Sequence, residues 1–264
     1  MLYRFRYRAR NVNGWSAFSP IAYIRAATVP ARPPAPVRDA VDAASIAVTI
    51  RKAADDGGSN VLGYELYINQ GTGTTSFLKV MSYLGDSASH TLSVADDGLN
   101  PGQTYLLMTR AYNEFGLGEY SEQLSVALAD FPAAPATLAK VDSESGTSYI
   151  TLEWPASAST EIPVLGYRLS LSDDSLGTDV FEEVYNGYNY PNVLKYTVSS
   201  EVVSGMAYTF QVQALNYNGA GPASSSVGYT ICTAPQNLFP PNMTAVTATT
   251  MTLTWEQPAS DGGC

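Results

Sequence analysis

Apolar and polar residues alternate along several short segments of this chain. In the segment ITLEW, Ile150, Leu152 and Trp154 are apolar, and the two residues between them are polar. A period of two residues places neighbouring side chains on opposite faces of a β-strand. We therefore predict strands with one buried face, and we expect Thr151 and Glu153 to face water. No segment sustains the 3.6-residue apolar period of a long amphipathic helix.

The predicted strands recur along the chain. Tyr3, Tyr105 and Tyr208 open three similar segments and stand 102 and 103 residues apart. The segment ITLEW returns as MTLTW, and LGYELYI returns as LGYRLSL, at nearly the same spacing. Ala-Pro pairs open the units at 35–36, 134–135 and 234–235. Self-similarity at a fixed period indicates tandem copies of one structural unit.

The repeat spacing divides the chain into four segments. Residues 30–130 (the second repeat) and 131–232 (the third repeat) each hold a whole unit. Residues 1–29 (the first partial repeat) hold the C-terminal part of a unit, and residues 233–264 (the fourth partial repeat) hold the N-terminal part. The fourth partial repeat holds only two strands of a unit, and two isolated strands are not stable in water. We therefore expect a window from a longer tandem array; the alternative is that neighbouring copies complete each other by strand donation.

The repeated residues resemble the fibronectin type III family. The resemblance is carried by the strand that ends in Trp154 or Trp255, the Gly-Tyr strand that follows it, and the segment Tyr…Ala-x-Asn-x-x-Gly…Ser. It implies an all-β fold of tandem immunoglobulin-like, seven-stranded β-sandwiches joined by short proline-containing linkers. It also implies tyrosine corners at Tyr105 and Tyr208, where a buried hydroxyl reaches the backbone. Ile50 replaces the tryptophan in its unit and is expected to fill the core with less volume.

Prolines mark the joints between the units. They occur in the segments TVPARPPAP (28–36), DFPAAP (130–135) and CTAP (232–235). Proline fixes φ and favours stiff, extended connections over flexible ones. We therefore expect the repeats to form a semi-rigid rod.

Charge and the scarcity of reactive side chains exclude several functions. The chain has 24 acidic and 14 basic residues, a net charge of -10, which argues against nucleic acid as a partner. Two cysteines and one histidine, His90, are too few for a four-ligand zinc site and leave little basis for catalysis. No segment is apolar over the roughly 18–20 residues that span a bilayer. We predict that the chain is not an enzyme and that it has no catalytic, metal or cofactor site.

A basic stripe, defined as Arg4, Arg6, Arg8 and Arg10, alternates near the N-terminus. On one continuous strand these four guanidinium groups would face the same way. Guanidinium forks bind carboxylates well, so one hypothesis is a docking face for a carboxylate-rich partner or an acidic polysaccharide. The alternative is an ordinary solvated sheet face.

A second candidate surface is apolar. On the equivalent face of the second repeat we expect Tyr67, Leu106, Met108 and Tyr112 to point outward. Apolar and aromatic side chains clustered on an exposed sheet face indicate contact with another chain, a second copy or an adjacent repeat. We call these four residues the contact face. The alternative is the scattered apolar exposure that is common on any protein.

Two covalent features are also predicted. In this fold the start of a repeat and the loop after its second strand lie at the same pole, so Cys232 and Cys264 are a candidate disulfide. The alternatives are two free thiols, or a partner cysteine elsewhere. Asn242, in Asn-Met-Thr, is a candidate N-glycosylation site if the protein is secreted.

These observations favour a non-enzymatic structural role: a semi-rigid segment of a large extracellular, surface or fibre-forming protein, with lateral self-assembly. Three alternatives remain open: an adhesion or receptor-type binding module, an accessory spacer of a polysaccharide-active enzyme, and an intracellular cytoskeletal or ciliary scaffold. The last would place the chain in the cytoplasm or cilium rather than outside the cell or on its surface.

Overall fold

A computed structural model of the chain describes residues 2–173 and 180–264. The chain divides into two compact units, Met1–Asp130 and Phe131–Cys264. The strands of both units pair in antiparallel fashion. None of the described residues forms a helix with the length and apolar character that crossing a bilayer requires.

The first unit is made of short strands and one helical turn. Its elements are β1 (Leu2–Phe5), β2 (Arg10–Asn11), β3 (Gly14–Trp15), β4 (Ala22–Arg25), β5 (Val37–Val41), β6 (Ser45–Thr49), β7 (Gly63–Asn69), β8 (Phe77–Lys79), β9 (Ser89–Ser93), α1 (Val94–Asp97), β10 (Thr104–Asn113), β11 (Gly116–Leu117) and β12 (Leu124–Ala127).

The second unit has the same kind of elements. They are β13 (Ala139–Lys140), a 3-10 turn (Asp142–Glu144), β14 (Ile150–Glu153), β15 (Gly166–Asp173), β16 (Glu182–Asn186), β17 (Lys195–Val198), β18 (Ala207–Asn216), β19 (Gly219–Ala223), β20 (Val227–Thr230), β21 (Asn242–Val246) and β22 (Met251–Thr254).

Each whole repeat is a sandwich of two antiparallel sheets. In the second repeat one sheet has the order β5-β6-β9, and the other has the order β11-β10-β7-β8 with β12 also paired to β10. In the third repeat the orders are β13-β14-β17 and β16-β15-β18-β19, with β20 paired to β18. The predicted all-β architecture is confirmed.

The core of the third repeat lies between its two sheets, as the alternating pattern predicts. Trp154 is 3% exposed, and its ring centre lies 6.0 Å from that of Tyr167. On β18, every second residue from Tyr208 to Ala214 is buried. The other buried members are Leu138, Ile150, Leu152, Val164, Leu169, Leu171, Val198, Val202 and Ile231.

Both predicted tyrosine corners are present. The amide of Asn100 donates to the hydroxyl of Tyr105 at 2.7 Å, and the amide of Val203 donates to Tyr208 at 3.1 Å. Each bond joins residues five positions apart, so it closes the loop that enters the long central strand. Ile50, at the tryptophan position, is 4% exposed and fills the core as expected.

The expectation that Thr151 faces water is wrong. Thr151 is 1% exposed because the 3-10 turn folds over its side of the strand. Its hydroxyl donates to the carbonyl of Glu144 and shares a 2.8 Å hydrogen bond with Thr197. A short hydroxyl can be buried at low cost when it is paired in this way.

The alternation of the basic stripe suggested one continuous strand, but the first partial repeat does not form one there. Strand β1 ends at Phe5 because its partner β4 pairs with residues 2–5 only. Beyond it, the amides of Tyr7 and Ala9 donate to the side-chain oxygens of Ser19 and Ser16. Strands β1, β4, β21 and β22 are exposed along their whole lengths.

Candidate contact surfaces

The contact face lies on the outward side of β7 and β10, where the register places Tyr67 directly opposite Met108. All four of its residues, Tyr67, Leu106, Met108 and Tyr112, are half-buried rather than fully exposed. Cross-strand neighbours cover one another in this way on any sheet face. The face is therefore apolar, and neighbouring side chains of the same chain already cover part of its area.

A charged cluster lies at the centre of this face and was not found from the sequence. Arg110 on β10 lies opposite Glu65 on β7, and their side chains pair at 2.8 Å. Lys79 on β8 pairs with the other oxygen of Glu65 at 2.7 Å. The guanidinium of Arg110 also lies 5.0 Å and 4.7 Å from the ring centres of Tyr67 and Tyr120. Cation–π contacts of this kind hold a guanidinium in a fixed position.

The cluster changes the ionisation of its members. Burial by itself would raise the pKa of Glu65, but hydrogen bonds from Lys79, Tyr67 and Arg110 outweigh it and hold that pKa below its usual value. Burial and the hydrogen bond to Glu65 raise the pKa of Tyr67. Glu65 therefore stays ionised, and Tyr67 stays neutral, near neutral pH.

Replacing Glu65 with glutamine is expected to lower the free energy of unfolding of the second repeat by about 1–3 kcal/mol at neutral pH, because Arg110 is then left half-buried without its carboxylate. A folded-state pKa below the unfolded value means that the carboxylate stabilises the fold above the unfolded pKa and that this stabilisation is lost as the pH falls through the folded pKa. Urea unfolding at pH 7 and in acid should therefore show the wild type and Glu65→Gln converging in acid.

A matched control is Glu122→Gln, because Glu122 pairs with Arg32 but its side chain is 77% exposed. An exposed pair contributes little, so this variant should unfold almost as the wild type does. A gap between Glu65→Gln and the wild type that stayed constant into acid would contradict the assigned role of Glu65.

The basic stripe forms a ladder on two aromatic rings. The guanidinium carbon of Arg6 lies 4.0 Å from the ring centre of Phe18. Arg8 lies 4.2 Å from the ring centre of Trp15, and Arg10 lies 5.7 Å from it. The structure thus brings three of the four arginines onto one aromatic surface. Arg4 lies opposite Tyr23 in the β1–β4 pair.

A serine holds the strand beside this ladder, and the same bond recurs in both whole repeats. The amide of Tyr7 donates to the hydroxyl oxygen of Ser19 at 3.1 Å. The equivalent bonds join Thr109 to Ser121 at 2.9 Å and Val212 to Ser224 at 3.1 Å. The repeat period read from the sequence therefore extends to individual hydrogen bonds.

Cys232 and Cys264 are joined in a disulfide, with their Cα atoms 5.9 Å apart. Cys232 lies just after the end of β20, and Cys264 follows two glycines in the loop after β22. The carbonyl of Cys232 also accepts a hydrogen bond from the ammonium of Lys140 at 3.2 Å. Asn242, the candidate glycosylation site, is exposed at the first position of β21.

His90 does not belong to an arrangement that resembles a hydrolase triad. Its Nε2 atom lies 2.9 Å from the hydroxyl of Ser82, but that hydroxyl donates its proton to Asp97 at 2.5 Å. In a triad the carboxylate orients the histidine, and the serine gives its proton to that histidine. No group of three or more His, Cys, Asp or Glu side chains that could hold a metal ion occurs within residues 2–173 and 180–264.

Comparisons with known proteins agree with this fold. The family model "Fibronectin type III domain" matches residues 133–229. "Fibronectin type-III domain-containing protein 3A" of Homo sapiens is 28% identical over 266 residues, which is 98% of this chain and 21% of that protein. "Neogenin" of Rattus norvegicus is 30% identical over 234 residues, 84% of this chain and 16% of that protein. The chain thus spans about a fifth of the length of these relatives, or less.

Among solved structures, the chain is similar to "Crystal structure of chicken CNTN1 FN1-FN3 domains", with a TM-score of 0.48 and 16% identity over 86% of this chain and 76% of that one. The paired sheets, the tyrosine corners and the repeat period define tandem immunoglobulin-like β-sandwiches. The family match and the named relatives identify these sandwiches as tandem fibronectin type III domains.

Proposed function

We propose that this chain is a non-enzymatic structural segment, in which fibronectin type III repeats form a semi-rigid array within an extracellular or surface protein. The observation that carries the proposal is the bonding of the linkers. A linker that is hydrogen-bonded into the following repeat loses much of the freedom that a flexible connection would have.

Two joints share the same pair of backbone bonds. At the first joint the amide of Thr28 donates to the carbonyl of Gly57 at 2.8 Å, and Ala31 donates to Asp55 at 2.9 Å. At the last joint Thr233 donates to Gly262 at 2.9 Å, and Gln236 donates to Ser260 at 3.0 Å. Each residue of the second set stands 205 positions after its counterpart, two repeat periods along the chain. The recurrence of both hydrogen bonds supports a joint geometry that is specific to this repeat rather than an accidental contact.

Two further observations support a location outside the cytoplasm. The disulfide between Cys232 and Cys264 is a bond that the cytosol does not usually maintain. The sequon at Asn242 is exposed, as an oligosaccharide acceptor must be. The disulfide weighs against an intracellular scaffold, and the exposed sequon is compatible with secretion.

The contact face is the part of the segment that we assign to lateral association with other copies. Leu106 and Met108 lie on one side of the fixed Arg110–Glu65 pair and Tyr112 lies on the other, so the surface has an apolar area with a polar, oriented centre. Protein interfaces combine apolar area with arginine and tyrosine in this way. On β18 of the third repeat the residues at the positions of Leu106 and Met108 are the polar Thr209 and Gln211.

The basic ladder supports a second candidate role, binding of an acidic polysaccharide. Rings beneath Arg6, Arg8 and Arg10 hold the guanidinium planes, so less side-chain entropy is lost when their N–H edges meet sulfates or carboxylates. The first 38 residues contain seven arginines and no acidic residue. This local excess contrasts with the acidic remainder of the chain.

One experiment tests both surfaces with a double glutamate variant of each. The two surfaces lie at corresponding places in their repeats, since Arg6 stands 102 residues before Met108. We expect sedimentation of the wild-type chain to show concentration-dependent association that Leu106→Glu/Met108→Glu abolishes and Arg6→Glu/Arg8→Glu leaves intact. Heparin, the probe, should lose affinity at least tenfold for the arginine variant only. Unchanged association of the leucine–methionine variant would refute lateral assembly through the contact face, and unchanged heparin binding of the arginine variant would refute the polysaccharide role.

A further inference from the structure

The loop Asp-Gly-Gly-X, in which X is Ser59 or Cys264, has one conformation at both joints. Gly57 and Gly58 have φ values of 73° and 83°, and Gly262 and Gly263 have values of 82° and 87°. The aspartate side chain supports the turn each time. Asp56 accepts a 2.8 Å hydrogen bond from the amide of Gly58, and Asp261 accepts one of 2.9 Å from the amide of Gly263.

The first glycine of the loop is needed for two reasons: the turn has a positive φ there, and the backbone of the linker lies too close for a side chain. A Cβ atom on Gly57 would lie 2.4 Å from the carbonyl oxygen of Thr28, and one on Gly262 would lie 1.9 Å from that of Thr233. Asparagine or aspartate can adopt a positive φ, but no side chain fits at such distances from a backbone oxygen. The linker that joins the two repeats, at Thr28 and at Thr233, therefore fits against the loop so closely that any side chain is excluded.

The fourth position of the loop makes the joint's side-chain connection, and it differs between the two joints. At the first joint the hydroxyl of Ser59 donates to Glu114 at 2.9 Å, and the same oxygen of Glu114 accepts from Arg25 at 2.6 Å. At the last joint Cys264 is bonded to Cys232. The counterpart of Cys232, 205 positions earlier, is Ala27.

We propose that the Asp-Gly-Gly-X loop is the docking site for the linker that follows the preceding repeat, and that X selects how the joint is closed. Serine closes it with a reversible, ion-paired network, whereas cysteine closes it with a covalent bond that depends on the redox potential. The geometry of docking is the same in both cases. Only the mechanical consequence, a stiffer last joint under oxidising conditions, rests on the proposed structural function.

The covalent closure is a two-electron oxidation. Two thiols lose two protons and two electrons to a small-molecule disulfide such as oxidised glutathione, which becomes two thiols. The exchange passes through a mixed disulfide that the second cysteine resolves. Docking favours that step because it holds the two cysteines within reach, as the Cα separation of 5.9 Å shows for the native pair.

The test is to move the covalent closure from one joint to the other. In a chain that carries Cys232→Ser and Cys264→Ser, the changes Ala27→Cys and Ser59→Cys should create a disulfide at the first joint. Equilibration in glutathione buffers, followed by non-reducing peptide mass spectrometry, should give an effective concentration for this pair within about tenfold of the native pair. Gly57→Val is the matched control: it changes neither cysteine and should reduce that effective concentration at least tenfold.

Failure of the new pair to close, or equal closure with Gly57→Val, would overturn docking at the first joint. If the engineered chain does not fold, Gly262→Val with the native cysteines gives the same test at the last joint, and an unchanged effective concentration there would overturn the proposal. The readout is independent of assembly. Loss of lateral association in the sedimentation experiment would leave it unaffected, so the two proposals can fail separately.

Discussion

Replacing Trp154 with alanine is expected to destabilise the third repeat by about 3–5 kcal/mol. Trp154 is 3% exposed and packs against Tyr167 and Tyr185 between the two sheets. Its indole nitrogen has no hydrogen-bond partner among the described residues, so the side chain contributes through packing alone. Hydrogen exchange of the β18 amides should become at least a hundredfold faster, whereas the β10 amides of the second repeat should keep their rates.

Two further variants make this prediction specific. Trp154→Phe keeps an aromatic ring and removes the unpaired N–H group, so it should cost less than about 1.5 kcal/mol. Trp255→Ala changes the equivalent residue of the fourth partial repeat, whose side chain is 76% exposed in this chain, and it should leave the third repeat unchanged. A similar loss for Trp154→Phe and Trp154→Ala would show that cavity formation is not the main cost.

Reduction of the Cys232–Cys264 disulfide is expected to weaken the docking of the fourth partial repeat by about 3–4 kcal/mol, the chain-entropy value for a loop of this length. The bond closes a loop with a sequence separation of 32 residues. The amide of Thr233, which donates to Gly262, should therefore exchange roughly 10²–10³-fold faster after treatment with a phosphine reductant.

The first joint supplies the internal control for reduction. Thr28 donates to Gly57 in the same geometry but has no cysteine beside it, so its exchange rate should not change. Equal acceleration at Thr28 and Thr233 would mean that the reductant acts on the whole molecule. No acceleration at Thr233 would mean that the backbone bonds and the loop geometry hold the joint without the disulfide.

Several of the predictions that the structure confirms depended only on residues that are close in the sequence. The tyrosine corners at Tyr105 and Tyr208 depend on bonds between residues five positions apart, so a local segment carries all the information they need. Ile50 could be assigned to the core because its repeat position and its alternating neighbours agree. Contact between residues close in the chain requires no knowledge of how distant strands align.

The charged centre of the contact face was not predictable in the same way. Arg110 and Glu65 are 45 residues apart, and a shift of one residue in the register of β7 against β10 would separate them. The useful signal was a pair of opposite charges on two outward-facing strand positions, but it acquires meaning only once the register is known. The interruption of the strand after Phe5 likewise depends on where β4 stops pairing.

The amino-acid pattern alone determined that this chain is a series of two-sheet units with a period of about a hundred residues, because alternation and turn chemistry are local and repeat faithfully. Tertiary structure decided which polar residues are covered, as at Thr151, and which distant groups meet, as at the joint where Ser59, Glu114 and Arg25 converge. Such contacts depend on strand register and on the course of loops in space. Those properties arise from the packing of the whole unit rather than from any single segment.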